Sequence, residues 1–274
     1  MRQIVFLVFI CGVISCSKYL SFQEKDHAFS IENINGFEVK LNSQLSDKSK
    51  DLIVRIIESM VYIEGDCFLM GKNGDRTSDM PAHYVRVSDY YICKIELTVQ
   101  SYNTIMNTKE YYLSRDDWQL FIEYVNNLTG LIFDFPTEAQ WEYAAKGGKL
   151  TKGYLYSGSN DLDKVRCSSL PCSGECVANE LGLLDMSGGV SEWCKDTYAE
   201  YEPFYCVDPY IKYGEDYVVR GGSYVSYDET YGFNQDVDVL FCEKDFRMCE
   251  TTSRMCAPKD RISKTIGCRL VINI

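Results

Sequence analysis

The segment from Asn179 to Trp193 limits the possible folds of this chain more than any other. It reads Asn-Glu-Leu-Gly-Leu-Leu-Asp-Met-Ser-Gly-Gly-Val-Ser-Glu-Trp and combines an apolar entry, a glycine pair and two carboxylates. Because Gly188 and Gly189 give the backbone a freedom that other residues lack, neither a plain helix nor a plain strand fits this span. Asp185 and Glu192 lie on either side of the bend. Such a loop can fold around a hard cation.

The amino terminus has the pattern of an export signal. Met1-Arg2 is followed by an apolar run from Ile4 to Ile10, which is too short to span a bilayer permanently. Cys16 stands where a bacterial lipoprotein signal is cut, although the residues before it match the lipobox only loosely. We expect residues 1–15 to be a lipoprotein signal peptide and Cys16 to carry a lipid that anchors the exported protein to a membrane of the cell envelope. An ordinary secretory peptide with an incidental cysteine is the alternative.

The composition is that of a folded extracytoplasmic protein. The chain has 274 residues, is 46% hydrophobic and carries a net charge of −12. Such an acidic surface argues against nucleic acid as a partner. Thirteen cysteines in an oxidising compartment suggest several disulfides. Their pairing stays open within two groups, the first being Cys167, Cys172 and Cys176, and the second Cys242, Cys249, Cys256 and Cys268.

A zinc cluster is the alternative use of these cysteines. The chain contains no Cys-x-x-Cys pair and only two histidines, His27 and His83. The usual spacings of a structural zinc site are therefore absent, which favours disulfides.

Residues 16–58 are predicted to form an amino-terminal tether with one short helix. Between Ser46 and Ser59, the residues Leu52, Ile53, Ile56 and Ile57 recur at the spacing of an amphipathic helix. The residue pattern changes at about residue 59, where the alternation typical of strands begins. Residues 59–274 are predicted to form one domain.

Several motifs follow one another in a fixed order after that point. They are Met60-Val61-x-Ile63 with Phe68-x-Met70-Gly71, then Pro81-Ala82-His83-Tyr84-Val85, Glu96-Leu97-Thr98, Phe135-Pro136-Thr137-Glu138-Ala139-Gln140-Trp141-Glu142-Tyr143-Ala144-Ala145, Arg220-Gly221-Gly222-Ser223-Tyr224 and Gly267-Cys268-Arg269-Leu270-Val271. The set resembles the formylglycine-generating-enzyme, or sulfatase-modifying factor, domain family. The resemblance implies an irregular mixed α+β domain of the C-type-lectin-like type, with few regular elements and with support from disulfides and calcium.

The helical segments of this domain can be placed from local patterns. Residues 98–107 and 116–129 have helical periodicity, whereas residues 84–98 resemble one strand. Thr137 with Gln140 three residues later predicts a capping box. We expect Glu138 and Glu142, in the first turns of that helix, to be solvated or to face the helix dipole rather than to perform acid–base chemistry.

In the resembled family, the segment that matches residues 179–193 holds a calcium ion. The resemblance implies side-chain ligands from Asp185 and Glu192 and backbone carbonyl ligands at Gly188 and Val190. This chain has Gly189 where Asn is usual and Ser191 where Trp is usual, but neither departure removes a ligand. The alternative is a glycine turn with two solvated acids.

The catalytic cysteines of the resembled enzymes are missing. Those enzymes oxidise a sulfatase cysteine with oxygen and use two cysteines after the Gly-Gly-Ser-Tyr motif to bind copper(I), which prefers soft thiolates. Here the matching positions are Ser226 and Tyr231. Cys242 and Cys249 could carry a relocated pair, although disulfides explain them more simply. With only His83 in the domain, the histidine cluster of a non-haem iron oxygenase is absent too.

Three functions are consistent with these features. We expect a non-catalytic domain of a bacterial envelope lipoprotein, with structural calcium, that binds a protein or glycan or serves in a surface assembly. The first alternative is a formylglycine-generating oxidase with rearranged thiols, which alone would require copper. The second is a receptor whose segment after Ser223 is diversified for ligand binding.

Overall fold

The computed structural model of the protein describes residues 29–42, 45–74, 78–166, 176–223 and 246–274. No helix within these ranges is both long and apolar enough to cross a membrane. Six predicted positions lie outside the described residues, namely Cys16, Cys167, Cys172, Ser226, Tyr231 and Cys242.

The described residues form short helices and short strands. The helices are α1 (Asp47–Glu58), α2 (Val99–Met106), α3 (Arg115–Thr129), α4 (Glu138–Ala145) and α5 (Leu162–Val165). The strands are β1 (Phe29–Ile34), β2 (Phe37–Asn42), β3 (Met60–Ile63), β4 (Cys67–Met70), β5 (His83–Arg86), β6 (Tyr90–Cys93), β7 (Phe133–Asp134), β8 (Ser191–Thr197), β9 (Cys206–Val207), β10 (Asp216–Arg220), β11 (Met255–Pro258), β12 (Ile266–Gly267) and β13 (Val271–Asn273). This composition confirms the predicted α+β class with few regular elements.

The strands form three small sheets and one hairpin. Their orders are β11-β10-β8-β12, β3-β6-β13-β7 and β4-β5-β9, and β1 pairs with β2. The neighbours are antiparallel except for β12 with β8 and β5 with β9. Strand β13, at the carboxyl end, lies between β6 and β7. The end of the chain therefore closes a sheet that the beginning of the domain starts.

The predicted single strand over residues 84–98 is wrong. The structure divides it into β5 and β6, which belong to different sheets. Between them, Ser88 donates from its backbone N–H and its hydroxyl to the Asp208 carboxylate, at 2.6 and 2.7 Å. These bonds hold the chain as it crosses from one sheet to the next.

Residues 29–58 are part of the folded unit, which corrects the prediction of a tether. The predicted short helix is confirmed as α1, with Ser46 as its N-cap. The hairpin β1–β2 was not predicted. Buried side chains from both elements join the main core cluster, including Ile34, Val39, Leu41, Ile53, Ile56 and Ile57. They pack with residues of α3 such as Trp118 and Phe121, so at least residues 29–58 do not act as a spacer.

The two central helices begin at, or within one residue of, the predicted positions. Ser114 caps α3 and Thr137 caps α4, each in a capping box with reciprocal bonds to Asp117 and Gln140. Helix α4 is buried along its whole length, with Trp141 inaccessible to solvent. Because α4 has no solvent-facing side, its carboxylates must find partners inside the protein.

Candidate functional site

The loop of residues 179–193 folds over the end of α4 and runs into β8. The Asn179 amide donates to Ala144 O at 2.8 Å and to Ser157 Oγ at 3.0 Å. Its oxygen accepts from the backbone N–H groups of Leu181 and Leu183. Asn179 therefore fixes the start of the loop to the helix before the glycine bend begins.

The bend itself requires left-handed backbone. Asp185 has φ 56° and is buried, and Gly188 and Gly189 have φ 134° and 66°. The Gly188 N–H donates to Gly221 O at 2.9 Å, which ties the bend to the Arg-Gly-Gly-Ser segment. The predicted ligand positions Asp185, Gly188 and Val190 thus share one buried turn.

Glu192 lies at the centre of a buried ion pair. Arg269 Nη2 donates to Glu192 Oε1 at 2.8 Å, and Trp141 Nε1 donates to Glu192 Oε2 at 2.7 Å. The same guanidinium donates to the carbonyls of Cys93 and Leu184, at 2.9 Å each. Glu192 therefore joins the loop, α4, β6 and the carboxyl-terminal segment. The alternative of a solvated acid at this position is wrong.

Glu96 is a third buried carboxylate at this site, and it was not predicted as a site residue. A Cβ on Gly189 would lie 2.5 Å from Glu96 Oε1 and 3.1 Å from the Asp185 Cβ. Glu96 Oε2 makes no hydrogen bond, and its ion pair with Arg269 Nη2 is long, at 3.8 Å. Burial raises the pKa of Glu96 to about 8; Arg269 opposes the shift, and Asp185 and Glu192 add to it. The one sequence feature that could have indicated a close neighbour here is Gly189, which has no side chain.

These residues fit a hard cation. Glu96 and Glu192 both face the Arg269 guanidinium, and Asp185 adds negative charge beside Glu96. Within the described ranges, no three His, Cys, Asp or Glu side chains form a metal cluster by themselves. A calcium ion would therefore depend on backbone carbonyls in addition to carboxylates, as the oxygen-rich turn around Gly188 allows.

A second set of buried ion pairs lies beneath the Arg-Gly-Gly-Ser segment. Arg220 bonds to the Glu142 carboxylate, with both side chains fully buried. Arg254 donates to the two oxygens of Glu138, at 2.6 and 2.7 Å. Burial alone would raise the pKa of Glu142, but Lys146 and Arg220 hold it below its ordinary value. The prediction that Glu138 and Glu142 are solvated or face the helix dipole is wrong, because buried arginines neutralise both carboxylates.

Asp196 extends this set towards the segment after β8. Its two oxygens accept from the backbone N–H groups of Glu138 and Ile211, at 2.8 and 2.9 Å. Burial and the negative charge of Glu138 nevertheless raise the pKa of Asp196 to about 7. The carboxyl thus fastens the chain after β8 to the first turn of α4.

The described cysteines occupy several environments. Burial raises the pKa of Cys93 to about 12 and the pKa values of Cys194 and Cys268 well above their ordinary range, which leaves these thiols neutral. A Cβ on Gly222 would lie 2.5 Å from Cys249 Sγ, so Cys249 packs directly against the glycine bend. Cys176 is disulfide-bonded. Cys256 and Cys268 are thiols in this structure, whereas the predicted pairing within each group remains a prediction.

The fold and the buried site define the class of the protein. It is a mixed α+β domain of the formylglycine-generating-enzyme type, in which a glycine loop is joined to the carboxyl-terminal segment by ion pairs. The family model described as the sulfatase-modifying factor enzyme 1-like domain matches residues 116–274, which is more than half of the chain. The chain belongs to this family.

The individual relatives share only low sequence identity with this chain. Over 213 residues the chain is 26% identical to the chaperone protein LppX of Paenibacillus barcinonensis, covering 54% of this chain and 74% of that protein. It is 31% identical to the formylglycine-generating enzyme of Streptomyces coelicolor over 115 residues, covering 34% of this chain but only 36% of the enzyme. Among solved structures, Treponema denticola variable protein 1 superposes with a TM-score of 0.61 at 18% identity, over 90% of this chain and 99% of that one.

Proposed function

We propose that this protein is a non-catalytic member of its family, an exported envelope lipoprotein whose domain binds another protein. The proposal rests on one observation, that Ser226 and Tyr231 stand where the resembled enzymes have their copper-binding cysteines. Soft thiolates are what copper(I) requires. The neutral, fully buried thiols of Cys93, Cys194 and Cys268 offer no substitute.

A protein partner is favoured over a glycan by the relatives. The Paenibacillus relative is called a chaperone protein, and this chain spans 74% of its length. Binding of a polypeptide by the family domain is the role that such a name supports. Lipid attachment at Cys16 would hold the domain at a membrane surface.

In this proposal calcium has a structural role. The Asp185 and Glu192 carboxylates and the carbonyls of Gly188 and Val190 would hold the ion, with Glu96 as a third acid beside them. When bound, calcium supplies positive charge that offsets the excess of buried carboxylates at this turn. The chain's own residues keep the turn in place through Asn179 and Arg269.

A copper(I) titration of the reduced protein tests the non-catalytic assignment. We expect no tight binding in competition with a copper(I) chelator, and no change when Cys249 is replaced in Cys249→Ser. Tight binding of one equivalent that Cys249→Ser abolishes would contradict the assignment.

An oxidase with rearranged thiols is the second candidate. The observation in its favour is the position of Cys249, whose sulfur packs against Gly222 within the Arg-Gly-Gly-Ser segment. Copper would be a cofactor only in this case, with Cys242 as the further thiol.

A diversified receptor is the third candidate. The structural likeness to a protein named variable protein 1 favours it, since that chain is covered almost completely. A template repeat beside the gene that matches the segment after Ser223 would support this candidate.

A further inference from the structure

The sheet β4-β5-β9 exposes large apolar side chains on the side turned to solvent. In β5, Val85 points inward and is fully buried, whereas Tyr84 points outward and is 62% exposed. In β4, Met70 is buried and Leu69 is 47% exposed. A solvated sheet face normally carries polar side chains at the outward positions. Here the outward positions of the two strands hold Leu69 and Tyr84, beside the exposed Cys67 and Arg86.

The strand register brings these side chains together. Leu69 is paired with Tyr84, and Arg86 is paired with Val207 on its other side. Tyr205, just before β9, reaches across β5, because its hydroxyl lies 3.8 Å from the Cys67 sulfur on β4. We name this surface the β5 face. It consists of Leu69, Tyr84, Tyr205 and Val207, together with the exposed Phe204, which precedes Tyr205 in the sequence.

The area of the β5 face suits a peptide better than a second copy of the domain. Phe204, Tyr205 and Tyr84 are 69%, 58% and 62% exposed. At roughly 200 Å² for each aromatic side chain, the three rings present on the order of 350 Å². A stable protein–protein interface buries about 800 Å² on each partner, so these rings cover less than half of that area. An apolar patch of this size on a monomer is often a binding site.

The charge around the β5 face indicates a basic partner. The segments 64–70, 83–89 and 200–208, which form and border the face, contain six acidic residues and one basic residue, Arg86. Lys149 pairs with two of these acids, Glu64 at 2.5 Å and Asp66 at 3.9 Å, and Lys146 is a further cation beside Leu69. The remaining excess of negative charge, together with exposed aromatic rings, favours Lys and Arg side chains through ion pairing and cation–π contact.

The backbone edge of β4 is partly occupied. Lys146 Nζ donates to Leu69 O at 2.7 Å. Addition of a further strand at this edge would have to displace that bond, so we expect the partner to contact side chains of the face.

We propose that the β5 face binds an extended polypeptide segment that carries apolar side chains together with Lys or Arg. The inference rests on the proposed function, because it names the chemistry of the protein partner. A neutral glycan stacked on the rings is the competing occupant, and the acidic border gives it no advantage.

Fluorescence anisotropy of the purified exported chain with a labelled peptide of alternating Phe, Leu and Lys tests this inference. The peptide contains no cysteine, so it reports binding even if the protein proves to be an oxidase. We expect the double variant Tyr84→Ser/Tyr205→Ser to weaken binding by about tenfold or more, as loss of aromatic anchors does elsewhere. The matched control is Tyr111→Ser, which removes a tyrosine that is 80% exposed outside the face.

Three comparisons complete the test. A peptide with Glu in place of Lys should bind at least about tenfold more weakly, since it meets an acidic border. Equal binding of the Glu peptide, equal loss in Tyr111→Ser, or no binding of the Lys peptide would overturn the inference. Binding of cellohexaose that depends on Tyr84 and Tyr205, without binding of the Lys peptide, would also overturn it and assign the face to a glycan. Circular dichroism of each variant establishes that it is folded.

Discussion

Arg269 Nη2 lies 2.8 Å from Glu192 Oε1, and neither side chain is exposed to solvent. This pair connects the carboxyl-terminal segment to the loop over α4. The carboxylate also accepts a hydrogen bond from Trp141 Nε1. Removal of one member of a buried pair leaves the other as an uncompensated charge, which is strongly destabilising.

The variant Arg269→Ala should therefore lower the free energy of unfolding by about 3–5 kcal/mol. Urea denaturation followed by tryptophan fluorescence measures this change. The control is Lys259→Ala, because the Lys259 side chain forms an exposed ion pair with Asp116 and its loss should change stability little. A loss in Arg269→Ala no larger than that of the control would show that the pair does not hold the loop.

Calcium should stabilise the folded protein through the turn at Asp185. At about 100 times its dissociation constant, an ion that binds only the folded state adds about 2.7 kcal/mol. Differential scanning calorimetry with calcium and with EDTA measures the increment. We expect Asp185→Ala to lose it. Asp208→Ala should keep it, because Asp208 has similar left-handed backbone, φ 45° against 56°, but its carboxylate binds Ser88. Equal increments in both variants would show that Asp185 is not a calcium ligand.

The pKa of Asp196 predicts a specific dependence of stability on pH. Since burial raises this pKa to about 7 from an ordinary value of 3.8, the folded state holds one more proton than the unfolded state between those values. The contribution of Asp196 to stability is fully present below about pH 4, is lost as the pH rises to about 7 and then stays constant.

Asp196→Asn should lack this contribution. Between about pH 4.5 and 6.5, the unfolding free energy of the native protein should fall relative to that of the variant by about 1.4 kcal/mol per pH unit. Urea denaturation across the pH range gives both curves, and their difference cancels the other titrating groups. A difference that does not vary with pH would refute the assigned direction.

The packing of α1 makes the amino-terminal segment essential for stability. Ile57 is fully buried in the main core, whereas Ile31 of β1 is 65% exposed. Ile57→Ala should cost about 2–5 kcal/mol, and Ile31→Ala should stay within about 0.5 kcal/mol. If thermal denaturation shows equal, small effects for both variants, residues 29–58 act as a spacer and are not part of the core.

Local patterns in the sequence were sufficient for α1 to α4 and for the cap of α4, whereas α5 was not predicted. Thr137 and Gln140 predict a capping box that the structure contains, because both partners lie within one turn. The isoleucine spacing around Ile56 predicts α1 for the same reason. The hairpin β1–β2 was missed, although Asn35 and Gly36 at its turn have the positive φ that such residues supply.

Apart from Lys146, which lies four residues after Glu142 and pairs with it, the partners of the buried charges could not be predicted, because they are distant in sequence. Glu138 pairs with Arg254, and Glu142 with Arg220. Nothing near Glu142 in the sequence indicates that its counter-charge lies in a later strand, so the local pattern of a helix start favoured solvent. Glu96 was missed similarly, since only the fold brings it against Gly189.

The central claim is that this chain lacks the oxidase chemistry of its catalytic relatives. The most direct measurement is mass spectrometry of a peptide with a sulfatase cysteine motif after incubation with the copper(I)-treated protein and oxygen. The formylglycine-generating enzyme of Streptomyces coelicolor serves as the positive control. The account predicts that the peptide cysteine stays unmodified under conditions in which the control converts it. Formation of the aldehyde, and its loss in Cys249→Ser, would contradict the account and assign the chain to the oxidases.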